Sequence, residues 1–484
     1  MSAAREVFRN TAVLAGARVV ERVTGLLLAL IVARHLGAAG LGVYAAAIAY
    51  FGLIQQAGEA GSTNLLVREL AKDRSRTPSY VSHTSVMALG VSGVAMTVAL
   101  LVIPHLGYSA DLRHSLQLIV LAVAPGTLNT IQEAVFVAHG RVEFETLTTL
   151  VSSIILVVLS LVLVAHGHGV VTLVLIFVCV EYAVTAVYFV LINRYIARLR
   201  FEFKVSIARE IIRDMKAFAG SSLVAGVFAR PEIVILSLFA TEAQVGYYSG
   251  AAKLVDVFQF LPQVYMANVF PLLSRSFHER DGRAQQIQDM VTKHLLAVAL
   301  PVSVGLFVAA DRIISLFYGE DFGNGVTVLR ILAINVVLFS LHAVRWRVLA
   351  ARGEPGRVFR VTLASTSVRV AGGTVLIALF KAIGAAVTVP MSLLVHVLLL
   401  GRAVRSDGTP LPLVSLGARF TVAAAAMGGV AYVLDRTTSL WVVVVVGAIV
   451  YFALVAALRA FSTEEIALLK SLLPSNRSLA GGSS

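Results

Sequence analysis

LQLIVLAVAPGTLNTIQEAVFVAHG, residues 116–140, lies without a gap over LRILAINVVLFSLHAVRWRVLAARG, residues 329–353. The same relation holds upstream. AGLGVYAAA (39–47) matches AQVGYYSGA (243–251), with Gly42 over Gly246 and Tyr44 over Tyr248, and NLLVR (64–68) matches PLLSR (271–275). The three offsets are 204, 207 and 213, always in the same order, so the chain contains one pattern twice with small insertions.

The solvent of this repeated unit follows from composition. Of 484 residues 58% are hydrophobic and 14% charged, and mean hydropathy is +0.85. Soluble domains carry about 25% charged residues. The apolar residues fall in blocks such as Val86–Ile103, Leu147–Ala165, Val170–Ile192 and Trp441–Leu458. Each approaches or exceeds the roughly 18–20 residues that cross a hydrocarbon core. This is the pattern of an all-α polytopic membrane protein. The first apolar stretch is long and lacks a small-residue cleavage site, so it does not read as a cleavable signal peptide. The single cysteine, Cys179, rules out a disulfide within the chain.

Spans are predicted near 10–34, 40–66, 80–106, 114–138, 146–166, 169–193, 217–240, 245–273, 291–310, 325–350, 358–380, 383–404, 412–434 and 440–460, about fourteen in all. Lysine and arginine test the count. The amino end and alternate loops hold 26 of them, seven between Arg194 and Lys216 alone, whereas the opposite loops hold 5: Arg34, Arg113, Arg312, Lys381 and Arg436. That asymmetry predicts both termini in the cytoplasm. It also makes the net charge of +13 topological and argues against nucleic acid as a partner. Between the halves, Ile207, Ile211, Ile212 and Met215 form one stripe, predicting an interfacial amphipathic helix. STEEIALLKSLL (462–473) opens with a capping box, Ser462 to Glu465, and is predicted to lie on the same surface; the ending SLAGGSS reads as disordered. An offset of six spans returns the chain to the same side, so the repeats are parallel, and transporters built that way hold substrate between two bundles.

Nine cations fall inside the predicted spans: Arg18, Arg22, Arg230, Lys253, Arg330, Arg345, Arg347, Arg369 and Arg419. A central arginine or lysine costs about 2.5–3.5 kcal/mol on insertion scales and normally faces a partner or an aqueous interior. Arg345 and Arg347 lie where they can snorkel to the cytoplasmic edge. The buried acids are Glu59, Glu133, Glu181, Glu232 and Asp256. Arg230 and Glu232 flank Pro231, and Lys253 stands three residues before Asp256, a spacing that allows neutralisation. Arg22 and Arg369 have no acid three or four residues away. A surplus of buried positive charge is therefore expected, and it suits an anionic substrate. No catalytic constellation is present, and the histidines have no metal-like grouping.

At these residues the chain resembles a known family. ERVTGLLLALIVARHLGAAGLGVYAAA (21–47), GEAGSTNLLVRELA (58–71), AHGRVEF (138–144) and ISLFYGEDFGNGVTVLRILA (314–333) look like the Wzx-type polysaccharide flippases of the multidrug/oligosaccharidyl-lipid/polysaccharide exporter superfamily. The resemblance implies two six-helix lobes around a central cationic cavity: an N-lobe over 1–200, a C-lobe over 201–405, two extra helices over 406–461 and a cytoplasmic tail over 462–484. It implies as substrate an oligosaccharide on undecaprenyl diphosphate, carried outward across a bacterial inner membrane by alternating access. Arg22 matches the first-helix arginine that meets the diphosphate. The candidates for that contact are Arg18, Arg22, Arg230, Lys253, Arg345 and Arg369, with Glu59, Glu232 and Asp256 as candidates for H+ or Na+ coupling. The implied partners are the bilayer, a polysaccharide polymerase and glycosyltransferases, with the chain itself a monomer. No cofactor is expected, because membrane potential alone drives a diphosphate outward, by about 2.3 kcal/mol per charge per 100 mV. The lipid II flippases and multidrug exporters of the same superfamily are alternatives, the latter disfavoured by the surplus of arginine. A membrane glycosyltransferase, which would show a sizeable loop of acidic residues, fits least.

Overall fold

The computed structural model describes residues 3–59, 61–215, 230–279, 282–405, 413–435 and 437–461, with backbone alone over 3–19. The side chain of Arg18, the first half of the span expected at 217–240, the helix at 462–473 and the tail SLAGGSS lie outside the described residues. Among the described residues the secondary structure is helical, without strands. Among the described residues nine helices are long and apolar enough to cross a membrane, or ten when a pair bent by 44°, Ala110–Val120 (α4) with Val123–His139 (α5), is counted as one crossing. Their outward faces carry large apolar side chains: Leu101, Leu147, Val190, Leu379, Ile449 and Phe452 are each more than half exposed. Water would penalise such faces, whereas lipid tails solvate them.

Two of the nine are far too long for one crossing, at 40 and 49 residues or about 60 and 74 Å at 1.5 Å per residue. The second, α16 (Pro355–Arg405), is interrupted at Lys381, which adopts φ 52°. Its halves then run back along each other. A Cβ on Gly384 would fall on the Leu376 carbonyl, one on Gly373 would come 2.6 Å from Thr388, and Ser365 Oγ lies 2.9 Å from His396 Nδ1. The numbers in each pair sum to nearly the same value, the register of an antiparallel hairpin. α1 (Ala3–Glu59) is likewise interrupted, at Gly37 with φ 69°, a left-handed conformation that glycine adopts without the Cβ penalty.

The sequence repeat recurs as hydrogen bonds. α5 ends with Gly140 N–H donating to Val137 and Arg141 N–H to Phe136; α15 (Asn335–Ala351) ends with Gly353 donating to Ala350 and Glu354 to Leu349. Every number differs by 213, and both glycines have positive φ, 69° and 75°. Each is the same Schellman cap, in which a left-handed glycine recovers the orphan carbonyls of the last turn. The helix before each also breaks at the equivalent place, at Leu121–Ala122 between α4 and α5 and at Ile334 between α14 (Gly325–Ala333) and α15.

The chain groups into two units that interleave along the sequence: residues 1–260, 314–332 and 359–396, and residues 261–313, 333–358 and 397–484. In the first, α1 packs along α10 (Glu242–Asp256) and on α6 (Val142–Ala165), while α5 packs against α2 (Ser62–Lys72), α3 (Thr77–Val102) and α7 (Val170–Tyr195). The α1–α10 crossing is dyad-like. A Cβ on Gly42 would overlap the Glu242 carbonyl, and one on Gly246 would overlap the Ala38 carbonyl. Both residues of each pair exchange under the offset of 204, so the repeats meet through equivalent surfaces, as in an isologous contact. Small residues let the backbones approach this closely.

The stripe expected at an interface has another destination. Residues 205–215 are helical (α8), and Ile211 is buried with Leu65, Leu70, Tyr80, Phe136 and Tyr188, with Ile207 and Met215 against the same cluster. Glu210 accepts from Arg76 at 3.1 Å and from Tyr80 at 3.2 Å. The apolar face thus covers the ends of the bundle, and of the four stripe residues Ile212 stays exposed. Beside it, hydrogen bonds from Lys72 and Arg68 hold the Glu69 carboxyl below its ordinary range.

In the second unit α12 (Ala284–Val308) packs against α15 and α17 (Leu413–Leu434), and α17 against α18 (Leu440–Ala457). Ala423, Ala424 and Gly428 let α17 approach α12, and Tyr451 of α18 donates to the Ala297 carbonyl at 2.7 Å.

Candidate functional site

A cavity of about 680 Å³ opens within the first unit. Both arms of α1 line it, through Glu21, Thr24, Gly25 and Leu28 on one side of Gly37 and Tyr44, Ile48, Gly52 and Gln56 on the other. The remaining wall comes from α6 (Ser153, Leu156), α7 (Phe177), α9 (Pro231–Phe239, with Arg230 at its cap), α10 (Ser249, Lys253) and Val370 of α16. Most of this surface is apolar. The charge gathers at one end.

There Arg230 Nη2 lies 2.6 Å from Asp256 Oδ2, and Gln259 donates to Asp256 Oδ1 at 2.9 Å. Arg22 sits behind the wall and donates to the backbone carbonyl of Asp256 at 3.4 Å. Arg369 pairs with Glu232 at 2.7 Å, and Tyr248 donates to the other oxygen of Glu232 at 3.1 Å. Lys253 reaches toward Gly25, its Nζ 3.6 Å from where a Cβ there would stand, with no hydrogen bond or ion pair among the described residues. The Nε of Arg369 is buried and also has no acceptor among them.

Four cations therefore meet three carboxylates here: Asp256, Glu232 and Glu21, the last within electrostatic reach of Lys253. Placing a charge in a low-dielectric site costs several kcal/mol unless it is paired. Arg230 and Arg369 are paired; among the described residues Lys253 forms no ion pair, and Arg22 meets a carbonyl dipole. Cations outnumber carboxylates in this cluster, but Arg230 is exposed, Arg22, Lys253 and Arg369 are half-buried, and their pairings differ. Arg369 finds its acid on another helix, which counting along its own helix cannot reveal. The Lys253–Asp256 neutralisation allowed by spacing does not form, because the Asp256 carboxylate turns to Arg230 and Gln259.

The other candidates lie elsewhere. Arg345 is held in the second unit, where it donates to the Val397 carbonyl under Gly401; it is 7% exposed and does not snorkel. Glu59 accepts from Gln56 at 3.0 Å and is absent from the cavity wall. Tyr248, Gln259 and Tyr44 join the site without a charge or motif that marks them in the sequence. The pairing of Tyr44 with Tyr248 in the repeat was the available signal for two of them. Among the described residues no group of three or more His, Cys, Asp or Glu side chains could hold a metal ion.

The polysaccharide biosynthesis protein family matches residues 31–327. A probable low-salt glycan biosynthesis flippase, Agl15, of Haloferax volcanii is 28% identical over 40% of this chain and 41% of its own length. The succinoglycan biosynthesis transport protein ExoT of Rhizobium meliloti is 23% identical over 63% of this chain and 61% of its own. The matched regions thus span less than two thirds of these relatives. Among solved structures, the lipid II flippase MurJ in an inward closed conformation superposes with a TM-score of 0.77 at 16% identity, covering 91% of this chain and 97% of that one. An inward-facing multidrug resistance transporter of the MATE family gives 0.64 at 14% identity, covering 87% and 96%. Family match, repeat and helical fold agree: the chain belongs to the polysaccharide biosynthesis protein family, and it is a multi-pass helical membrane protein.

Proposed function

We propose that the protein is a flippase that carries a polyprenyl-diphosphate-linked oligosaccharide from the cytoplasmic to the outer leaflet of the cytoplasmic membrane. The observation that carries this reading is the pairing of opposites in one cavity: an apolar wall ending in a cluster with more cations than carboxylates. A lipid-linked glycan has the complementary halves. Its diphosphate would meet Lys253 and Arg230, its sugars would meet Gln55, Gln56, Ser249 and Ser153, and its tail would stay in the bilayer. The volume of about 680 Å³ lies in the range of ligand pockets and leaves room for a headgroup with its first sugars.

The same reading supplies the topology. Counting α1 and α16 as hairpins raises the ten crossings to twelve, and the spans expected at 217–240 and 245–273 would complete fourteen in two parallel lobes, with α17 and α18 as the extra pair and both termini cytoplasmic. The cycle needs no bound cofactor. Outward movement of the diphosphate follows an inside-negative potential, and the emptied cationic cavity is drawn back by the same field. The chemistry is transport without bond cleavage.

Binding tests it. In native mass spectrometry the purified protein should retain a polyprenyl diphosphate oligosaccharide and release it in Lys253→Met and Arg230→Met, while the corresponding uncharged polyprenol should not be retained. Equal retention of both lipids would refute an anion site.

A further inference from the structure

Phe177 of α7 lines the cavity, half-buried, and has no part in holding a diphosphate. Its ring meets that of Phe51 on α1 edge to face, with centroids 5.2 Å apart and planes at 78°. Phe51 is buried and lies over Gly126 of α5, where a Cβ would stand 2.7 Å from its Cζ. The missing side chain at Gly126 thus seats Phe51, and Phe51 in turn fixes the tilt of Phe177. A packed ring of this kind stays in the wall and offers π surface to whatever fills the cavity.

The residue after Phe51 leaves a gap. Gly52 is exposed in the cavity wall, and a Cβ built on it meets no atom within 4 Å. Gly52 and Arg22 each stand fifteen residues from Gly37, so the two arms of α1 bring the gap to the depth of the cations. Gln55 and Gln56, three and four residues on, share the helical face of Gly52 and also line the cavity. Neither amide atom of Gln55 has a hydrogen-bond partner among the described residues. Gln56 donates its Nε2 to Glu59 at 3.0 Å, which leaves its Oε1 to accept. A lipid tail in this place would leave those amide groups unpaired, which is costly away from water. A ligand with an apolar C–H face and a hydroxyl-bearing edge satisfies both the ring and the amides. A pyranose has that form.

We propose that Phe177, Gly52, Gln55 and Gln56 form a subsite for the pyranose nearest the diphosphate. The C–H face of the sugar lies on Phe177, its hydroxyls bond to the two amides, and the absent side chain at Gly52 sets the size of sugar admitted. The subsite rests on the lipid-linked glycan reading and adds to it that the protein distinguishes a glycosylated lipid from the bare polyprenyl diphosphate.

Competition binding to the purified full-length protein tests it with two probes, polyprenyl diphosphate and the same lipid carrying one glucose. Wild-type protein should prefer the glucosylated lipid by about tenfold. Phe177→Leu keeps an apolar side chain but removes the π surface, and should cut the preference to about threefold or less. Phe177→Trp should restore it. Gly52→Ala should lower the preference in part and Gly52→Leu should abolish it. Both replacements are better helix formers than glycine and point into open space, so an unchanged melting temperature on the same samples separates a blocked subsite from a lost fold. Equal binding of the two lipids by wild type, or a preference that survives Phe177→Leu and Gly52→Leu, would overturn the subsite while leaving the diphosphate site standing. Binding of neither lipid would overturn both.

Discussion

Replacing Gly42 or Gly246 by alanine perturbs the crossing at which the two repeats meet. Each new Cβ would overlap a backbone carbonyl, of Glu242 or of Ala38, and a carbonyl cannot swing aside as a side chain can. The helices must separate. Overpacking of this kind costs about 1–3 kcal/mol, and the dyad-like arrangement predicts nearly equal costs for the two substitutions. It also predicts how they combine. Separating α1 from α10 to relieve one overlap relieves the other, so the double variant should cost less than the sum of the singles by about 0.5–3 kcal/mol. Gly90→Ala is the control: this helical glycine of α3 has no atom within 4 Å of its would-be Cβ, and helix propensity predicts up to about 1 kcal/mol of gain. Thermal unfolding in detergent, read by loss of helical circular dichroism, supplies the comparison. Additive effects, or a large cost at one glycine and none at the other, would refute the symmetric contact.

Three further outcomes follow from the structure. Lys253→Met removes a half-buried cation that forms no ion pair among the described residues, so it should leave stability unchanged or raise it while weakening diphosphate-lipid binding at least tenfold; a lipid-binding measurement and a melt on the same preparation separate the two effects. Arg369→Ala strands the carboxylate of Glu232, which is 3% exposed, and should cost about 3–5 kcal/mol, whereas Arg369→Met with Glu232→Leu should recover most of that loss in a double-variant cycle. Gly140→Ala and Gly353→Ala force a side chain into the left-handed region and should each lower stability by about 1–2 kcal/mol, equally if the two caps are true equivalents.

The membrane-helical class and the repeat were legible because both are written in local pattern. Gly140 over Gly353 announced two matching helix ends, and hydrophobic blocks announced crossings. The turn at Lys381 was located to within a residue or two by a lone cation between apolar runs. What the pattern withheld was partner choice. Helical spacing pointed Lys253 at Asp256, but side-chain direction and the cap at Pro231 bring Arg230 there instead. The Arg369–Glu232 pair joins residues 137 positions apart, a distance that periodicity cannot bridge. The stripe at 207–215 is amphipathic in sequence, but a sequence does not show that Ile207, Ile211 and Met215 pack on the cluster around Leu65 and Tyr188. Arg345 carried the same arginine signal as Arg230, yet packing turns it onto a backbone carbonyl.

The central claim is that the cationic cavity carries an anionic lipid headgroup across the membrane. Its most direct test is translocation of a fluorescent polyprenyl diphosphate oligosaccharide in proteoliposomes, read by quenching from the far side, with a potassium-diffusion potential of either sign. Wild-type protein should deliver intact substrate faster when the receiving side is positive, and Lys253→Met should reduce the rate at least tenfold. Movement at the same rate under either potential and unaffected by Lys253→Met, or recovery of a lengthened or cleaved glycan, would contradict the account.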